Sequence, residues 1–191
     1  WSQIYGGTCS DQSESVQQTT DGGYIVCGTT VCTNGDNGVF TSYRTIYLIK
    51  TDVNGTEQWS QNFGQTTNYS GYSVQQTTDG GYIITGYTTE SFDTYSLRYI
   101  YLLKTDESGD EEWSQNLEEG TGYSVQQTID GGYIVTGYTE TLGNGEGDMF
   151  LIKTDNSGNE QWFNNFGNEG EDCGYSVQQT TDGGYIVTGY T

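Results

Sequence analysis

Oxygen-bearing side chains recur at alternate positions of one short motif, a spacing that could hold a calcium ion. The motif reads TDxxGxE. It contributes Asp52, Asn54 and Glu57, then Asp106, Ser108 and Glu111, then Asp155, Ser157 and Glu160. Alternate oxygen ligands followed by a glycine resemble the start of a calcium loop. The full EF-hand pattern is absent, so a hairpin turn capped by the aspartate, with the glycine at positive φ, is the competing interpretation.

All five basic residues also fall at repeated places. Lys50, Lys104 and Lys153 each precede a glutamate by seven positions, and Arg44 and Arg98 each precede a lysine by six. A hairpin turn with one bulge would set each lysine beside its glutamate, in exposed pairs worth about 0.2–1 kcal/mol. We therefore interpret these residues as structural charges. The glutamates in question are Glu57, Glu111 and Glu160.

Four cysteines, Cys9, Cys27, Cys32 and Cys173, match no zinc-binding spacing, and the chain has no histidine. An even count favours disulfides and an oxidising compartment; four free thiols are the alternative. The strand pattern described below places all four on one face of the fold. We expect Cys32 to bridge to Cys9 or Cys27, and Cys173 to pair with the remaining cysteine or with another copy of the chain.

Two sequons, NGT at Asn54 and NYS at Asn68, are candidate glycosylation sites. Enzyme chemistry is not favoured. Without histidine, Ser-His-Asp and Cys-His arrangements are impossible, and no glycine-rich phosphate loop leads from a strand into a helix. Carboxylates that a glycosidase could use lie in acidic loops, so we predict no catalytic residue and no cofactor beyond the calcium hypothesis.

The composition excludes two classes of partner. The chain has 191 residues, and five basic against 26 acidic side chains give a net charge of −21. Such a chain repels nucleic acid phosphates and anionic lipid headgroups. No apolar run approaches the roughly 20 residues that span a bilayer. Apolar residues make up only 31 %, but tyrosine, tryptophan and β-branched residues recur at fixed places, which favours an ordered β protein.

These fixed places define an internal repeat. The DGG step occurs at Asp21, Asp79, Asp130 and Asp182, with spacings of 58, 51 and 52 residues. Tryptophan recurs at 1, 59, 113 and 162, and KTD recurs at 50, 104 and 153. One unit of about 50 residues is therefore written four times, with approximate bounds 1–58, 59–112, 113–161 and a partial 162–191.

Each unit predicts four short strands, which we call a to d. Strand a is SVQQT, and the DGG step turns the chain into strand b, GYIVTGYT. A variable stretch follows, at 29–44, 88–98 and 139–148, and we expect it to form a loop. Strand c is YLIKT or a close variant, and after the TDxxG turn comes strand d, such as EQWSQNF. Exposed tyrosine and acid in the variable loops could bind sugars or cations. The competing interpretation is that these stretches are solvated loops or packing contacts between copies.

Four antiparallel strands per unit of this size are typical of a β-propeller blade. The run YLIKTDxxGxExW…SVQQTxDGGYIVTGYT resembles the β-propeller repeats of secreted and cell-surface proteins of bacteria and archaea, and is similar to the repeat labelled SBBP and to NHL blades. The resemblance implies an all-β propeller outside the cell. It gives little information about function, because such propellers serve many roles.

The fourth unit lacks YLIKTD, so strand c has no counterpart there. Trp1–Tyr5 would offer a strand d to a shared blade. We expect either further blades of the same chain, or neighbouring copies that supply the edge and form a ring or filament. The sequence predicts a non-enzymatic, extracellular structural or adhesive protein. The alternative is a carbohydrate-binding propeller that contacts cell-surface glycans, and a glycan-acting enzyme ranks below it.

Overall fold

The chain folds entirely into antiparallel β-sheets. A computed structural model describes residues 1–36, 39–64, 68–141 and 147–191, and these contain fourteen strands in four sheets and no helix. None of the sheets closes on itself. The fold class is therefore all-β, built from repeated four-stranded sheets of which the last has two strands in the described residues.

Each complete sheet is made of four consecutive strands. The first sheet contains β1 (Ser10–Gln18), β2 (Tyr24–Asp36), β3 (Val39–Thr51) and β4 (Glu57–Phe63). The second contains β5 (Asn68–Gln76), β6 (Tyr82–Ser91), β7 (Ser96–Thr105) and β8 (Glu111–Glu119). The third contains β9 (Thr121–Gln127), β10 (Tyr133–Thr139), β11 (Asp148–Thr154) and β12 (Glu160–Phe166), and the fourth contains β13 (Cys173–Gln179) and β14 (Tyr185–Tyr190). The hydrogen-bonded unit thus begins at strand a, whereas the sequence repeats were counted from the tryptophan.

Glycine chemistry sets the turn between the first two strands of each unit. Gly22 has a φ of 85°, a region that L side chains rarely adopt. The second glycine, Gly23, is needed for space, since a Cβ there would lie 2.1 Å from the carbonyl oxygen of Thr51. The DGG step therefore serves both the turn and a close approach of the third strand.

Two expectations about local structure are wrong. The stretches 29–36, 39–44, 88–91 and 96–98, expected as loops, belong to strands, because β2 pairs with β3 from Tyr24–Thr51 out to Asp36–Val39 and β6 pairs with β7 out to Ser91–Ser96. Residues 37–38 and 142–146 lie outside the described residues. Residues 1–7 form no strand, because strand d pairs with strand c of its own sheet and no such strand lies beside them among the described residues.

Candidate functional site

The candidate site is the interface that each unit forms with the next, because residues at equivalent positions of the repeat build it three times. Successive sheets pack face to face around an apolar layer. The first layer contains Ile25, Cys27, Ile46, Leu48, Phe63, Val74, Tyr82, Ile84, Tyr101 and Leu103. The second contains Ile83, Ile100, Leu102, Val125, Tyr133, Val135, Phe150 and Ile152. The third holds only Ile134, Leu151 and Val177 as buried members.

Alternation along the third strand of a unit explains this arrangement. In β7, Tyr101 and Leu103 face the first sheet, whereas Ile100 and Leu102 face the third. A strand whose residues are apolar on both faces is expected when both faces are covered. The third layer is smaller because the fourth sheet has no third strand in the described residues to add such side chains.

A tryptophan of each unit packs on a tyrosine of the next. The ring centroids of Trp59 and Tyr82 lie 5.7 Å apart. The pairs Trp113–Tyr133 and Trp162–Tyr185 each measure 5.8 Å. Tilted or edge-on aromatic pairs at such distances contribute about 0.5–1.5 kcal/mol beyond their buried area. Each pair therefore helps to fix how one sheet sits on the next.

Trp1 makes the same contact at the start of the chain, 5.7 Å from the ring of Tyr24. It also lies against Gly55, as Trp59 lies against Gly109. Although residues 1–7 form no strand, Trp1 thus occupies the place that a strand d tryptophan takes in every later interface.

Polar side chains on the first strands connect the units laterally. The Gln17 side-chain oxygen accepts a hydrogen bond from the Gln76 backbone N–H at 2.6 Å, and in return the Gln76 side-chain oxygen accepts one from the Thr20 N–H at 2.8 Å. The same exchange recurs between the second and third sheets and between the third and fourth. The first strands of successive sheets are not joined by a backbone ladder. The glutamine side chains therefore link them.

Each complete unit contains a buried lysine, and its partners differ from the glutamates expected from the sequence. Lys50 contacts Asp21 of the DGG turn at 2.7 Å and the Gln58 side-chain oxygen at 3.0 Å, rather than Glu57. A bulge at Lys50 and Thr51 shifts the register by one residue, which is why position 58 and not 57 meets the ammonium group.

The other two lysines behave alike. Lys104 contacts Asp79 at 3.0 Å and Glu112 at 2.8 Å, and Lys153 contacts Asp130 at 3.0 Å. All three lysine side chains are 5 % exposed or less, and each also donates to the carbonyl of the threonine that follows it. The expected exposed pairs with Glu57, Glu111 and Glu160 are therefore wrong.

The aspartates of these pairs are held ionised. Hydrogen bonds from the Lys50 ammonium, the Thr19 hydroxyl and the Gly23 N–H hold the pKa of Asp21 well below its usual value. The Thr128 hydroxyl and Lys153 lower the pKa of Asp130 to about 2. The DGG turn and strand c are thus joined electrostatically in each complete unit.

The outermost faces expose residues that the internal interfaces bury. Val16 in β1 is 65 % exposed, whereas its equivalents Val74, Val125 and Val177 are at most 6 % exposed. A cavity of about 500 Å³ opens beside Val16, lined also by Ile4, Val26, Tyr47 and Ile49.

The same contrast holds at the other end. Ile186 in β14 is 57 % exposed, whereas Ile25, Ile83 and Ile134 are fully buried. The row of sheets therefore presents, at its two ends, the two complementary halves of its own internal interface.

The cysteines divide into one bridge and two thiols. Cys9 and Cys32 form a disulfide that ties the segment before β1 to β2. Cys27 and Cys173 are free and buried, so the expected bridge from Cys173 to the remaining cysteine is not formed. Burial raises the pKa of the Cys27 thiol to about 12 and that of Cys173 to about 11. Cys27 points into the first apolar layer and is part of the packing.

The calcium candidates form turns. One carboxylate oxygen of Asp52 accepts hydrogen bonds from the backbone N–H groups of Asn54 and Thr56, both at 2.8 Å. Asp106 and Asp155 cap their turns in the same way, and the glutamates Glu57, Glu111 and Glu160 begin the following strands. No group of three or more metal-ligating acidic or cysteine side chains is found in the part of the chain that the structure describes.

The two glycosylation candidates differ in surroundings. Asn54 is exposed in the turn between β3 and β4. Asn68 is half-buried at the start of β5, and its side-chain oxygen accepts a hydrogen bond from the Arg44 N–H at 3.2 Å. Only Asn54 thus presents an amide free of strand contacts to solvent.

Sequence reasoning missed the partners of the lysines and the exchange between glutamines. Both kinds of contact link residues that are separated along the chain by a turn or by a whole unit. The spacing of nearby residues therefore does not show which side chains meet. The repetition of a Gln pair in every strand a was the available signal.

In the described residues, no helix is long and apolar enough to cross a membrane. A scan against protein-family models found no matching family, and no curated protein matches the chain. The resemblance to secreted β-propeller repeats therefore stays a prediction.

Proposed function

We propose that this chain is a non-enzymatic structural repeat protein that builds an extracellular or cell-surface assembly by stacking units on one another. The observation that carries the proposal is the exposure of Val16 and Ile186, at positions that every internal interface buries. In this proposal the sheets are blades of a propeller, and the partner at either end is a further unit of the same kind. In a preparation of this chain alone, another copy provides that unit.

Chemical complementarity supports head-to-tail stacking. The face around Val16 is equivalent to the face that each later unit turns toward its predecessor. Ser176 and Gln178 on β13 occupy the places from which Ser15 and Gln17 accept the N–H groups of Val74 and Gln76. A contact between unlike faces does not close on itself as a two-fold dimer does, so it generates rings or filaments.

An extracellular location fits the chemistry of the chain. The Cys9–Cys32 disulfide is compatible with an oxidising compartment, where such bonds persist. The net charge of −21 keeps separate copies soluble through mutual repulsion, which added salt screens. Assembly is therefore expected to strengthen with ionic strength.

Sedimentation velocity of the purified chain over a range of concentrations tests the proposal. We expect large particles that grow with concentration, and their loss in Val16→Glu, which places a charge in the contact. Val53→Glu is the matched control, because Val53 is 56 % exposed in a turn where the second unit has Glu107. A native chain that stays monomeric at all concentrations would refute assembly.

Carbohydrate binding is a second candidate, favoured by one hairpin tip. Phe92 and Tyr95 join β6 to β7, are about half exposed, and stack with centroids 4.8 Å apart and planes 23° apart. Exposed aromatic faces with a neighbouring carboxylate, here Asp93, are suited to stacking on sugars. Saturable binding on a glycan array that is lost in Phe92→Ser would support this candidate, and an array without saturable binding would remove it.

A further inference from the structure

The edge of β14 differs from every other second strand of the fold. Strands β2, β6 and β10 each pair with a third strand, whereas β14 pairs only with β13 among the described residues. β6 and β10 are buried over most of their length, but β14 is exposed at Ile186, Thr188, Gly189 and Tyr190. An exposed strand of this kind is a template for pairing with another strand.

The groups that would fix a partner strand are already in place beside this edge. Asp182 accepts hydrogen bonds from the Thr180 hydroxyl and the Gly184 N–H through one oxygen, as Asp21, Asp79 and Asp130 do in their turns. In those three turns the second oxygen contacts a lysine of strand c. No cation lies against the second oxygen of Asp182 in the described part of the chain.

The space next to Gly184 matches that arrangement. A Cβ built on Gly23, Gly81 or Gly132 would lie 2.5–2.7 Å from a lysine Nζ and 2.1 Å from a threonine carbonyl oxygen. A Cβ built on Gly184 meets only Thr180 and Asp182 of its own turn. The turn therefore has room for the ammonium group and the backbone of an added strand.

Thr188 supplies one more contact. Its equivalents Thr85 and Thr136 are fully buried and donate to the carbonyl oxygens of Tyr101 at 3.0 Å and Phe150 at 2.7 Å. Each of these carbonyls lies three residues before the lysine of its strand. The Thr188 hydroxyl can thus donate to the carbonyl oxygen of a partner strand three residues before its lysine.

We propose that β14 is an acceptor site for a β-hairpin with the chemistry of strands c and d, in which an apolar strand carries one lysine. The lysine lies opposite Ile186, as Lys50, Lys104 and Lys153 lie opposite Ile25, Ile83 and Ile134, and its ammonium group binds Asp182. Apolar residues one and three positions before the lysine cover the third apolar layer. The inference rests on the proposed function, since it treats the fourth sheet as a unit of the same assembly.

Within a second copy of the chain, strand c is already paired in each complete sheet. The occupant is a hairpin of this chemistry that is not already paired in a complete sheet, and it adds to β14 by strand complementation. Backbone pairing provides affinity along β14, and the lysine sets the register.

The test titrates a fluorescent peptide with the sequence of residues 148–166 into the Val16→Glu chain, which removes head-to-tail stacking from the readout. We expect saturable binding with one peptide per chain. A Lys153→Met peptide should bind about tenfold more weakly, because a charge-assisted hydrogen bond is lost. In an Asp182→Asn chain the two peptides should bind nearly alike, since the lysine has lost its partner.

Hydrogen exchange locates the site. Bound peptide should slow exchange in Tyr185–Tyr190 and leave the outer strands β4, β8 and β12 unchanged. No saturable binding, equal affinity for both peptides, or protection only at other strands would overturn the inference. Peptide binding by a chain whose native form never self-associates would instead remove the stacking proposal and leave the acceptor site standing.

Discussion

Replacing equivalent isoleucines at an internal and an outer interface gives a direct test of the stacking energetics. Ile83 is fully buried between the second and third sheets, among Leu102, Val125 and Tyr133. Ile186 holds the same place in the fourth unit and is 57 % exposed. The two substitutions to alanine remove the same atoms from the same position of the repeat, so their difference reports burial alone.

The expected magnitudes follow from that burial. Ile83→Ala removes buried methyl and methylene groups and leaves a cavity, which costs about 2–5 kcal/mol. Ile186→Ala should change the free energy of unfolding by about 0.5 kcal/mol or less, the usual range for surface substitutions.

Urea unfolding followed by tryptophan fluorescence measures both, because Trp113 packs against the apolar layer that contains Ile83. The measurement is made at a concentration where sedimentation shows a monomer. A cost below about 1 kcal/mol for Ile83→Ala, or equal costs for both variants, would contradict the assignment of these positions to a repeated interface.

Three further outcomes are expected. Asp130→Asn should destabilise the chain at neutral pH. The gap to wild type should shrink as the pH falls below about 4, because the stabilisation from a lowered pKa is complete above the unfolded value of about 3.9 and is lost as the pH falls through the folded value of about 2; a gap in thermal melts that is as large at pH 2 as at pH 7 would contradict this. Ellman's reagent at pH 8 should find no reactive thiol in the native chain and two, Cys27 and Cys173, after unfolding without reductant; reaction of the folded chain would contradict the burial of these thiols, and a count of four after unfolding would refute the Cys9–Cys32 bridge. Lys104→Met should cost about 1–3 kcal/mol in urea unfolding, since the Thr105 carbonyl loses a buried donor, and an unchanged midpoint would remove the lysine from the fold's polar framework.

The strands were predictable because their signals are local. Each DGG step marks a turn, and alternating β-branched and aromatic residues mark the flanking strands. The outer halves of β2 and β3, between residues 29 and 44, were not predicted. The polar sequence around Thr33 and Tyr43 is typical of a loop when its pairing partner is not considered. Pairing with the opposite strand decides the outcome there.

The candidate site was predictable only in outline. The repeat indicated that units must cover each other's faces, but it did not say which side chains meet. The Lys50–Asp21 contact depends on a bulge and on a turn 29 residues away, and neither is visible in spacing along the chain. A β-propeller was also predicted. The structure has the repeated antiparallel sheets, none of which closes on itself, and the propeller stays a prediction.

Mixing two single-face variants tests the central claim most directly. Val16→Glu blocks the first face and leaves the fourth sheet free, whereas Ile186→Glu does the reverse. Each variant should sediment as a monomer of about 21.0 kDa, and an equimolar mixture should form a dimer and nothing larger. A mixture that remains monomeric, or a single variant that still forms large particles, would show that the two faces do not recognise each other.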